Sequence, residues 1–232
     1  LNNHIGVPLA ILSINRTHQM AVIEMGANHQ KEIELLCSIA QPSHGLITNV
    51  GRAHLEGFGG VEGVKKGKGE LYDYLQNSNG AVFINANDTV LMEMQQARQI
   101  KNKIFYGDGH DPLISGKLSA NAPYLALNWT DNTTHQTYPI ASQLTGEYNL
   151  DNILAAICLG TYFKLTPDDI NRGVEEYQPK NNRSQLTQTA TNMLICDYYN
   201  ANPSSMAVAI DNLGKLKADY KVLILGDMFE LG

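Results

Sequence analysis

The chain has 232 residues, of which 43% are hydrophobic and 17% charged, and its formal net charge at pH 7 is -6. This composition is typical of a soluble globular protein of one or two domains, and it excludes a collagen-like or low-complexity chain. A dedicated nucleic-acid-binding protein would normally be basic, so the acidic balance argues against that class. The three cysteines are widely spaced and form no C-x-x-C pair, which indicates reduced thiols in the cytoplasm.

Targeting signals are absent from the sequence. No apolar run approaches the roughly 18 residues that a transmembrane helix needs, and the N-terminus lacks the pattern of a secretory signal. The chain starts at Leu1 without a methionine and ends on LILGDMFELG. We therefore expect a piece of a longer protein.

Short apolar segments alternate with amphipathic segments over the first 110 residues. The pattern predicts strands at 21–25, 45–50, 81–87 and 103–109, separated by helices at 31–40, 61–75 and 89–98. This alternation is typical of βαβ units, in which helices cover both faces of a parallel sheet. The sequence therefore predicts an α/β fold with a mostly parallel sheet.

The pattern changes after this region. Residues 112–148 alternate polar and apolar side chains without a helix, which predicts a small antiparallel portion. Two helices are predicted next, at 151–163 and at 166–177, the second with Thr166 as its N-cap and Pro167 in its first turn.

The last part of the chain is predicted to begin a second domain. Residues 178–185 are polar and have the composition of a linker, and a strand, a helix and another strand are then predicted at 193–199, 204–216 and 221–228. About 50 residues cannot bury an adequate core alone. We expect domain boundaries of 1–180 and 181–232, the latter being the incomplete start of a Rossmann-like α/β domain.

Polar residues at the ends of the predicted strands indicate where chemistry could occur, because ligands of open α/β sheets bind beyond the carboxyl ends of the strands. These residues are Glu24, Asn49, His54, Asn85, Asp88, Asp197 and Asp227. Together they would suit a hard cation and phosphates. Glu24 is the most informative, because an unpaired carboxylate inside the apolar run VIEM would be costly. A structural alternative is a Glu24 satisfied by backbone groups or a lysine, and a loop His54 that is merely solvated.

No motif for a phosphate-binding loop accompanies these residues. Neither G-x-x-x-x-G-K-[ST] nor G-x-G-x-x-G occurs, and the nearest imitations, GVKKGKG and GFGGVEG, have the wrong spacing. H-E-x-x-H, a serine nucleophile elbow and zinc-spaced Cys/His sets are absent as well, which argues against hydrolases.

Eight segments, taken in their order along the chain, resemble the Mur ligase family. They are NNHIGVPL (2–9), VIEMGANHQKEI (22–33), ITNVGRAHLEGFGGVEGVKKGKGELY (47–72), INAND (84–88), GEYNLDNILAA (146–156), NNRSQ (181–185), DYYNANPSSM (197–206) and LGDMFELG (225–232). The resemblance covers essentially the whole chain, and its separations make it specific. It implies the central ATPase-type domain of that family, followed by the start of the C-terminal domain.

The resemblance also implies an activity. It is ATP-dependent formation of a peptide bond in peptidoglycan precursor synthesis, with Mg²⁺ and ATP as cofactors and a UDP-N-acetylmuramoyl-tripeptide and D-alanyl-D-alanine as substrates. The tripeptide carboxylate would be phosphorylated by ATP and then attacked by the dipeptide's amine. The phosphate-binding loop and the UDP-binding domain are expected before Leu1, so the chain alone is expected to be inactive. We expect a monomer.

The family's functional residues carry over to this sequence at matching motif positions. Glu24, His54 and Lys68 match the Mg²⁺ ligands, and Lys68 matches the lysine that family members carbamylate. Lys68, His54 and Arg183 are the implied catalytic residues, with Arg183 lying near the phosphates. Without the resemblance, Lys68 would be interpreted as a solvated helix lysine.

Nucleotide and substrate contacts carry over in the same way. The implied nucleotide-binding residues, besides Arg183, are Asn149, Asn152, Asp197, Tyr199 and Asn200. The segment expected to face the UDP-sugar substrate contains Asn2, Asn3 and His4. The i, i+3 spacing of the first asparagine pair places both on one helix face. The structural alternatives are helix capping by Asn149 and ordinary turns or loops for the others.

The sequence departs from the family pattern at three positions near these residues. Tyr148 stands where the family commonly has His, Cys196 where it often has Asp, and Tyr198 where a small hydroxyl residue is usual. Two other functions stay open: a non-catalytic nucleotide- or metal-binding module descended from such a ligase, and another Mur-type amide ligase such as a folylpolyglutamate synthetase. The residues also leave open whether the third residue of the peptide is meso-diaminopimelate or lysine.

Overall fold

The computed structural model describes residues 2–51, 55–109, 111–121, 123–180, 182–183, 185–199 and 201–228. These described residues divide between two compact units. The first contains the residues up to 84 together with 88–104, and the second contains 85–87 and the residues from 105 onward. None of the helices in the described part of the chain combines the length and the apolar character needed to cross a bilayer.

Among its described residues, the first unit contains five helices and two strands, the second of which ends one residue beyond this unit. They are α1 (Gly6–Leu12), α2 (Glu32–Ala40), β1 (His44–Leu46), α3 (Leu55–Phe58), α4 (Val61–Ser78), β2 (Ala81–Asn85) and α5 (Thr89–Gln96). β1 and β2 run parallel, with His44 opposite Ala81 and Leu46 opposite Phe83. Every residue of β2 is buried, as expected for a strand covered on both faces.

The second unit contains the remaining strands and helices, including a small separate sheet. Its elements are β3 (Asn102–Tyr106, which begins in the first unit), β4 (Ile114–Ala120), β5 (Ala126–Asp131), β6 (Gln136–Ala141), a 3₁₀ helix (Glu147–Asn149), α6 (Leu150–Tyr162), α7 (Pro167–Glu175), β7 (Gln185–Gln188), β8 (Met193–Cys196) and α8 (Pro203–Lys215). Strands β1 to β6 follow one another in chain order in a six-stranded sheet, and β7 and β8 pair separately.

The strand directions confirm the predicted α/β fold with an antiparallel portion. β3 and β4 are parallel, whereas β4, β5 and β6 form an antiparallel meander over the region for which alternation predicted it. The predicted cap of α7 is also confirmed, since the backbone N–H of Asp169 donates to Thr166 Oγ1 at 3.2 Å and Pro167 lies in the first turn. The meander packs on α7 through Trp129, whose Nε1 donates to Asn171 Oδ1 at 2.8 Å.

The first predicted strand, at 21–25, is wrong: within the described residues this segment pairs with no strand. Ile23 and Met25 pack instead against a core formed by α1 and α2, in which Val7 and Cys37 are fully buried. The apolar composition of this segment predicted a strand covered on both faces, but Val22 is 89% exposed and only Ile23 and Met25 are partly covered. Both the backbone pairing and the two-sided burial were therefore misjudged.

The C-terminal part differs from the prediction at two places. The strand predicted at 221–228 is not formed in the structure, and Val222 and Ile224 are 79% and 90% exposed. β7, which the polar sequence did not predict, pairs antiparallel with β8, with Gln185 opposite Cys196. A strand requires a hydrogen-bonded neighbour, and apolar composition alone does not supply one. The expected domain boundary between residues 180 and 181 stays a prediction.

Candidate functional site

Glu24 lies on the solvent side of its segment. Its neighbours Ile23 and Met25 face the core, so the alternation turns the Glu24 carboxylate outward, where it is exposed. The expectation that this carboxylate is buried is therefore wrong. Asn2 Nδ2 donates to Glu24 Oε1 at 2.9 Å, and this is the one hydrogen bond of the Glu24 side chain within the described residues. Lone pairs of the carboxylate thus remain open to a cation.

The three residues predicted to face the substrate, Asn2, Asn3 and His4, differ in their surroundings. Asn2 holds Glu24 through its side chain, and its carbonyl oxygen accepts from the backbone N–H of Gly26 at 2.8 Å. The side chain of Asn3 caps α1, since its Oδ1 accepts from the N–H groups of Ile5 and Gly6 at 3.1 and 3.0 Å. His4 is exposed. The structure therefore links the predicted substrate segment to the predicted metal ligand Glu24.

Lys68 lies half-buried in α4. Its Nζ donates to the backbone carbonyl of Asn49 at 2.7 Å, which connects α4 to the segment that follows β1. Burial lowers the pKa of the Lys68 amino group below its usual value of 10.5, because the charged form loses hydration. A larger fraction of the amine is consequently neutral than for an exposed lysine. This environment differs from the solvated helix lysine that the sequence pattern alone favoured.

The proposed metal ligands are only partly visible in the structure. Glu24 and Lys68 are described, whereas His54 lies outside the described residues. Across the ranges that the structure describes, no three His, Cys, Asp or Glu side chains converge on a possible metal position. The carboxylate oxygens of Glu24 are hard ligands of the kind Mg²⁺ prefers, while Lys68 could serve only after gaining an anionic oxygen. The three-residue ligand set stays a prediction.

Two other strand-end residues have structural roles. Asn85 is buried and its Oδ1 accepts from the backbone N–H of Asn87 at 3.0 Å, which closes a turn. Asp88 caps α5, since its Oδ1 accepts from the N–H groups of Val90 and Leu91 at 2.9 and 3.0 Å. The idea that these two side chains contribute to a cation site is therefore not supported. Asp227 is exposed in the segment that forms no strand.

In the second unit, Asn149 and Asn152 contact each other. Asn152 Nδ2 donates to Asn149 Oδ1 at 3.1 Å, and the buried Asn149 donates to the carbonyl of Thr145 at 2.8 Å. Their predicted placement on one face is confirmed by this contact. Asn149 occupies the N-cap position of α6, but its side chain makes no capping hydrogen bond. The alternative role of Asn149 as a side-chain cap is therefore wrong.

Arg183 and the loop after β8 also come together. The Arg183 guanidinium lies over the Tyr199 ring, with Cζ 4.1 Å from the ring centroid. The backbone N–H of Tyr198 donates to the carbonyl of Asn182 at 3.0 Å, which ties the same two segments. Asp197 is half-buried directly after the end of β8. Asn200 lies outside the described residues.

A cavity of about 220 Å³ in the second unit was missed from the sequence. Its lining consists of Asn121, Glu147, Tyr148, Val208, Asp211, Asn212, Lys215 and Leu216. Lys215 Nζ lies 2.8 Å from Asp211 Oδ2 and 3.5 Å from Glu147 Oε2, so α8 is tied to the 3₁₀ helix that precedes α6. A hydrogen bond from Asn121 and the charge of Lys215 lower the pKa of Glu147. The i, i+4 spacing of Asp211 and Lys215 was the only sequence signal for this cluster.

The family follows from the sequence. Residues 1–160 match the Mur ligase middle domain, and the chain belongs to the Mur ligase family. A UDP-N-acetylmuramoyl-tripeptide–D-alanyl-D-alanine ligase of Haemophilus influenzae is 37% identical to the chain, over all of the chain and 50% of the relative.

Solved structures agree with this assignment. The crystal structure of MurF from Acinetobacter baumannii superimposes with a TM-score of 0.89 at 31% identity, over all of the chain and 50% of that structure. MurF of Thermotoga maritima, solved in complex with ADP, shares the fold with a TM-score of 0.77 at 23% identity, over 90% of the chain and 48% of that structure. The chain therefore spans about half the length of the relatives it matches.

Proposed function

We propose that this chain forms the magnesium- and ATP-binding part of a ligase that joins D-alanyl-D-alanine to a UDP-N-acetylmuramoyl-tripeptide. The observation that carries the proposal is the match over the whole chain to a ligase of that name, at 37% identity. The product is a peptidoglycan precursor. A monomeric enzyme in the bacterial cytoplasm is part of the same proposal.

The proposed reaction has two steps. A terminal carboxylate oxygen of the tripeptide attacks the γ-phosphorus of ATP, which forms an acyl phosphate and releases ADP. The amino group of D-alanyl-D-alanine then attacks the acyl carbon, loses a proton and expels phosphate. Because a carboxylate must approach a polyanion in the first step, positive charge has to be placed around the phosphates. Mg²⁺ bound at the site would supply part of that charge.

Glu24, His54 and Lys68 are the proposed metal ligands, and the contacts of two of them support these roles. Glu24 is exposed and held in place by Asn2, so its remaining lone pairs can face a hard cation. The lowered pKa of Lys68 raises the fraction of neutral amine, which can add CO₂ to give a carbamate and one proton. The carbamate would carry anionic oxygens, and its remaining N–H could still donate to the Asn49 carbonyl, now 2.7 Å from Nζ.

Nucleotide binding is proposed for a second set of residues, and the relative solved with ADP is consistent with it. The set consists of Asn149, Asn152, Arg183, Asp197, Tyr199 and Asn200. The hydrogen bond between the two helix asparagines keeps both amides on one face, where they can read the hydrogen-bonding edge of adenine. Stacking on Tyr199 restricts the Arg183 guanidinium, which suits bidentate contact with phosphate.

The substrate segment is proposed to be Asn2, Asn3 and His4. Asn3 is engaged as the cap of α1, so it would act by shaping the backbone at this position. His4 is exposed and has its ring available for a ligand. Through the bond from Asn2 to Glu24, the substrate and metal segments would be coupled directly.

The proposal is tested by assaying the full-length protein with ATP, Mg²⁺, the muramoyl tripeptide and D-alanyl-D-alanine. We expect ADP release to require both peptide substrates and to match the ligated product one to one. Tripeptides with meso-diaminopimelate and with lysine are assayed separately, which decides the third residue. ATP binding without turnover on either tripeptide would support the non-catalytic module instead, and turnover with a folate and glutamate would support the folylpolyglutamate reaction.

A further inference from the structure

Glu70 is a buried carboxylate to which the sequence assigned no role. It lies in α4, is 8% exposed, and both of its oxygens accept backbone hydrogen bonds. The N–H of Lys31 donates to Oε1 at 2.6 Å and the N–H of Glu34 donates to Oε2 at 3.0 Å. Lys31 is the N-cap residue of α2 and Glu34 lies in its first turn, where backbone N–H groups have no partner within their own helix. One helix therefore caps another through a buried charge, which the dipole of α2 further stabilises.

The capped turn follows the segment that carries Glu24. Residues 26–31, here called the brace loop, connect Glu24 to α2. Lys31 ends the loop with a φ of 75°, a left-handed conformation that is uncommon for lysine, and its N–H is one of the two held by Glu70. Glu32 holds the middle of the loop, since its Oε2 accepts from the N–H groups of Asn28 and His29 at 2.6 and 3.0 Å.

The brace loop also touches α3, which begins directly after His54. Gln30 Nε2 donates to the carbonyl of Phe58 at 3.3 Å. A Cβ atom on Gly57 would lie only 2.3 Å from the carbonyl oxygen of Asn28, so α3 and the loop approach each other at backbone distance. The loop is therefore continuous with Glu24 and packed on the helix that follows His54.

Glu70 and Lys68 connect the same helix to different neighbours. They are two residues apart and thus about 200° apart around α4. Lys68 reaches the Asn49 carbonyl after β1, whereas Glu70 reaches the start of α2. Fixing α4 against the brace loop consequently fixes Lys68 relative to α3 and to the segment that bears Glu24.

We propose that Glu70 is a positioning residue of the magnesium site: it locks the brace loop to the helix that carries Lys68. This inference rests on the proposed function, because it takes Glu24 and Lys68 as ligands of the metal. Glu70 touches neither substrate nor metal in this role. It acts through the loop, so its loss should weaken metal binding more than it weakens the fold.

The test compares Glu70→Gln with Glu62→Gln in the full-length protein. Glu70→Gln keeps the side-chain shape but replaces one accepting oxygen with an NH₂ group that faces a backbone N–H. Glu62→Gln removes the same charge from an exposed position of the same helix. If Glu70→Gln gives no folded protein, Glu70→Asp, which retains the charge and withdraws it by one methylene, takes its place.

Three measurements are made on each variant: Mn²⁺ binding by electron paramagnetic resonance without substrates, the Mg²⁺ dependence of ligation, and hydrogen exchange of residues 26–36. For Glu70→Gln we expect metal affinity about 10- to 100-fold lower, as is typical when a group that orients metal ligands is lost. Exchange of the amides of Lys31 and Glu34 should accelerate. Glu62→Gln should match the wild type in all three.

Unchanged Mn²⁺ affinity in Glu70→Gln would overturn the inference, and so would equal losses in the two variants, since these would indicate a general charge effect. An inactive wild type would count against the proposed ligase function. In that case Mn²⁺ binding and hydrogen exchange, which need no turnover, still decide the role of Glu70.

Discussion

A methyl group added at Gly63 should displace the helix that follows His54. Gly63 lies in the first turn of α4, and a Cβ atom built there would be 1.8 Å from the carbonyl oxygen of Phe58 and 2.6 Å from its carbonyl carbon. Because the obstacle is backbone, no side-chain rotation can relieve the clash. Cβ atoms need a separation of at least 3.0 Å, so α3 or α4 must shift by about 1.2 Å.

The size of the effect on stability is the difference of two contributions. Replacing glycine by alanine in a helix stabilises it by up to about 1 kcal/mol. Overpacking costs about 1–3 kcal/mol, and a rigid backbone obstacle favours the upper end of that range. We therefore expect Gly63→Ala to lower the free energy of unfolding by about 2 kcal/mol, which corresponds to a fall of about 4–8 °C in Tm.

Ligase activity should fall further than stability. A misplacement of about 1 Å at a reacting site can cost about 100-fold in rate, and α3 begins one residue after His54. We expect kcat of Gly63→Ala to drop by about that factor at temperatures where the variant is folded. The assay combines thermal unfolding by circular dichroism with the ligation rate, both in the full-length protein.

Gly173→Ala is the matched control. Gly173 lies in α7, and no atom lies within 4 Å of a Cβ built on it, so the substitution gains helix propensity without a clash. It should raise Tm by about 2 °C and leave the ligation rate unchanged. Wild-type stability and rate in Gly63→Ala would refute the reasoning that α3 is clamped between α4 and the brace loop.

Three further predictions concern single side chains. Lys68→Met should lower the ligation rate by more than about 100-fold without lowering Tm, because it removes a half-buried amine whose charged form loses hydration on folding. A rate near wild type would remove Lys68 from the site. Asn149→Ala should lower the free energy of unfolding by about 1–3 kcal/mol, because the side chain loses two hydrogen bonds. It should also raise KM for ATP, and a normal KM would exclude contact between Asn149 and the nucleotide. At pH 8, iodoacetamide should modify the half-exposed Cys196 and spare Cys37 and Cys158, which are buried. Burial raises the pKa of the Cys37 thiol to about 11 and that of the Cys158 thiol to about 12. If mass spectrometry of the native protein found all three cysteines modified at one rate, it would contradict the burial of Cys37 and Cys158.

Six of the eight α-helices among the described residues and the antiparallel meander were predicted from the sequence, because both depend on local patterns; the short helices α1 and α3 were not predicted. The cap formed by Thr166 followed from the residue types at the start of α7, and the shared face of Asn149 and Asn152 followed from their i, i+3 spacing. The strands at 21–25 and 221–228 failed, because pairing depends on a neighbour that a one-dimensional pattern does not specify. Glu24 shows most clearly what the sequence pattern cannot predict. The pattern placed Glu24 at a candidate site, but its exposure depends on the direction in which its neighbours pack, which only the structure shows.

The candidate functional side chains in α4 were harder to identify. Lys68 stands among Lys65 and Lys66 and was distinguished from them only through resemblance to a family. Glu70 looked like an ordinary surface charge in the run GKGELY, and its burial arises from α2, about 36 residues away in sequence. Gly67 and Gly69 were the available signal, because small residues spaced along a helix allow close approach of neighbouring elements.

The central claim is that the full-length protein forms a peptide bond through an acyl phosphate. It is tested most directly by ligation of a tripeptide in which both oxygens of the terminal carboxylate are ¹⁸O, with mass spectrometry of both the ligated product and the released phosphate. The proposed reaction transfers one carboxylate oxygen to phosphate, so we predict one ¹⁸O atom in each phosphate released and one retained in the new amide. Product formation with unlabelled phosphate, or phosphate release without a ligated product, would contradict it.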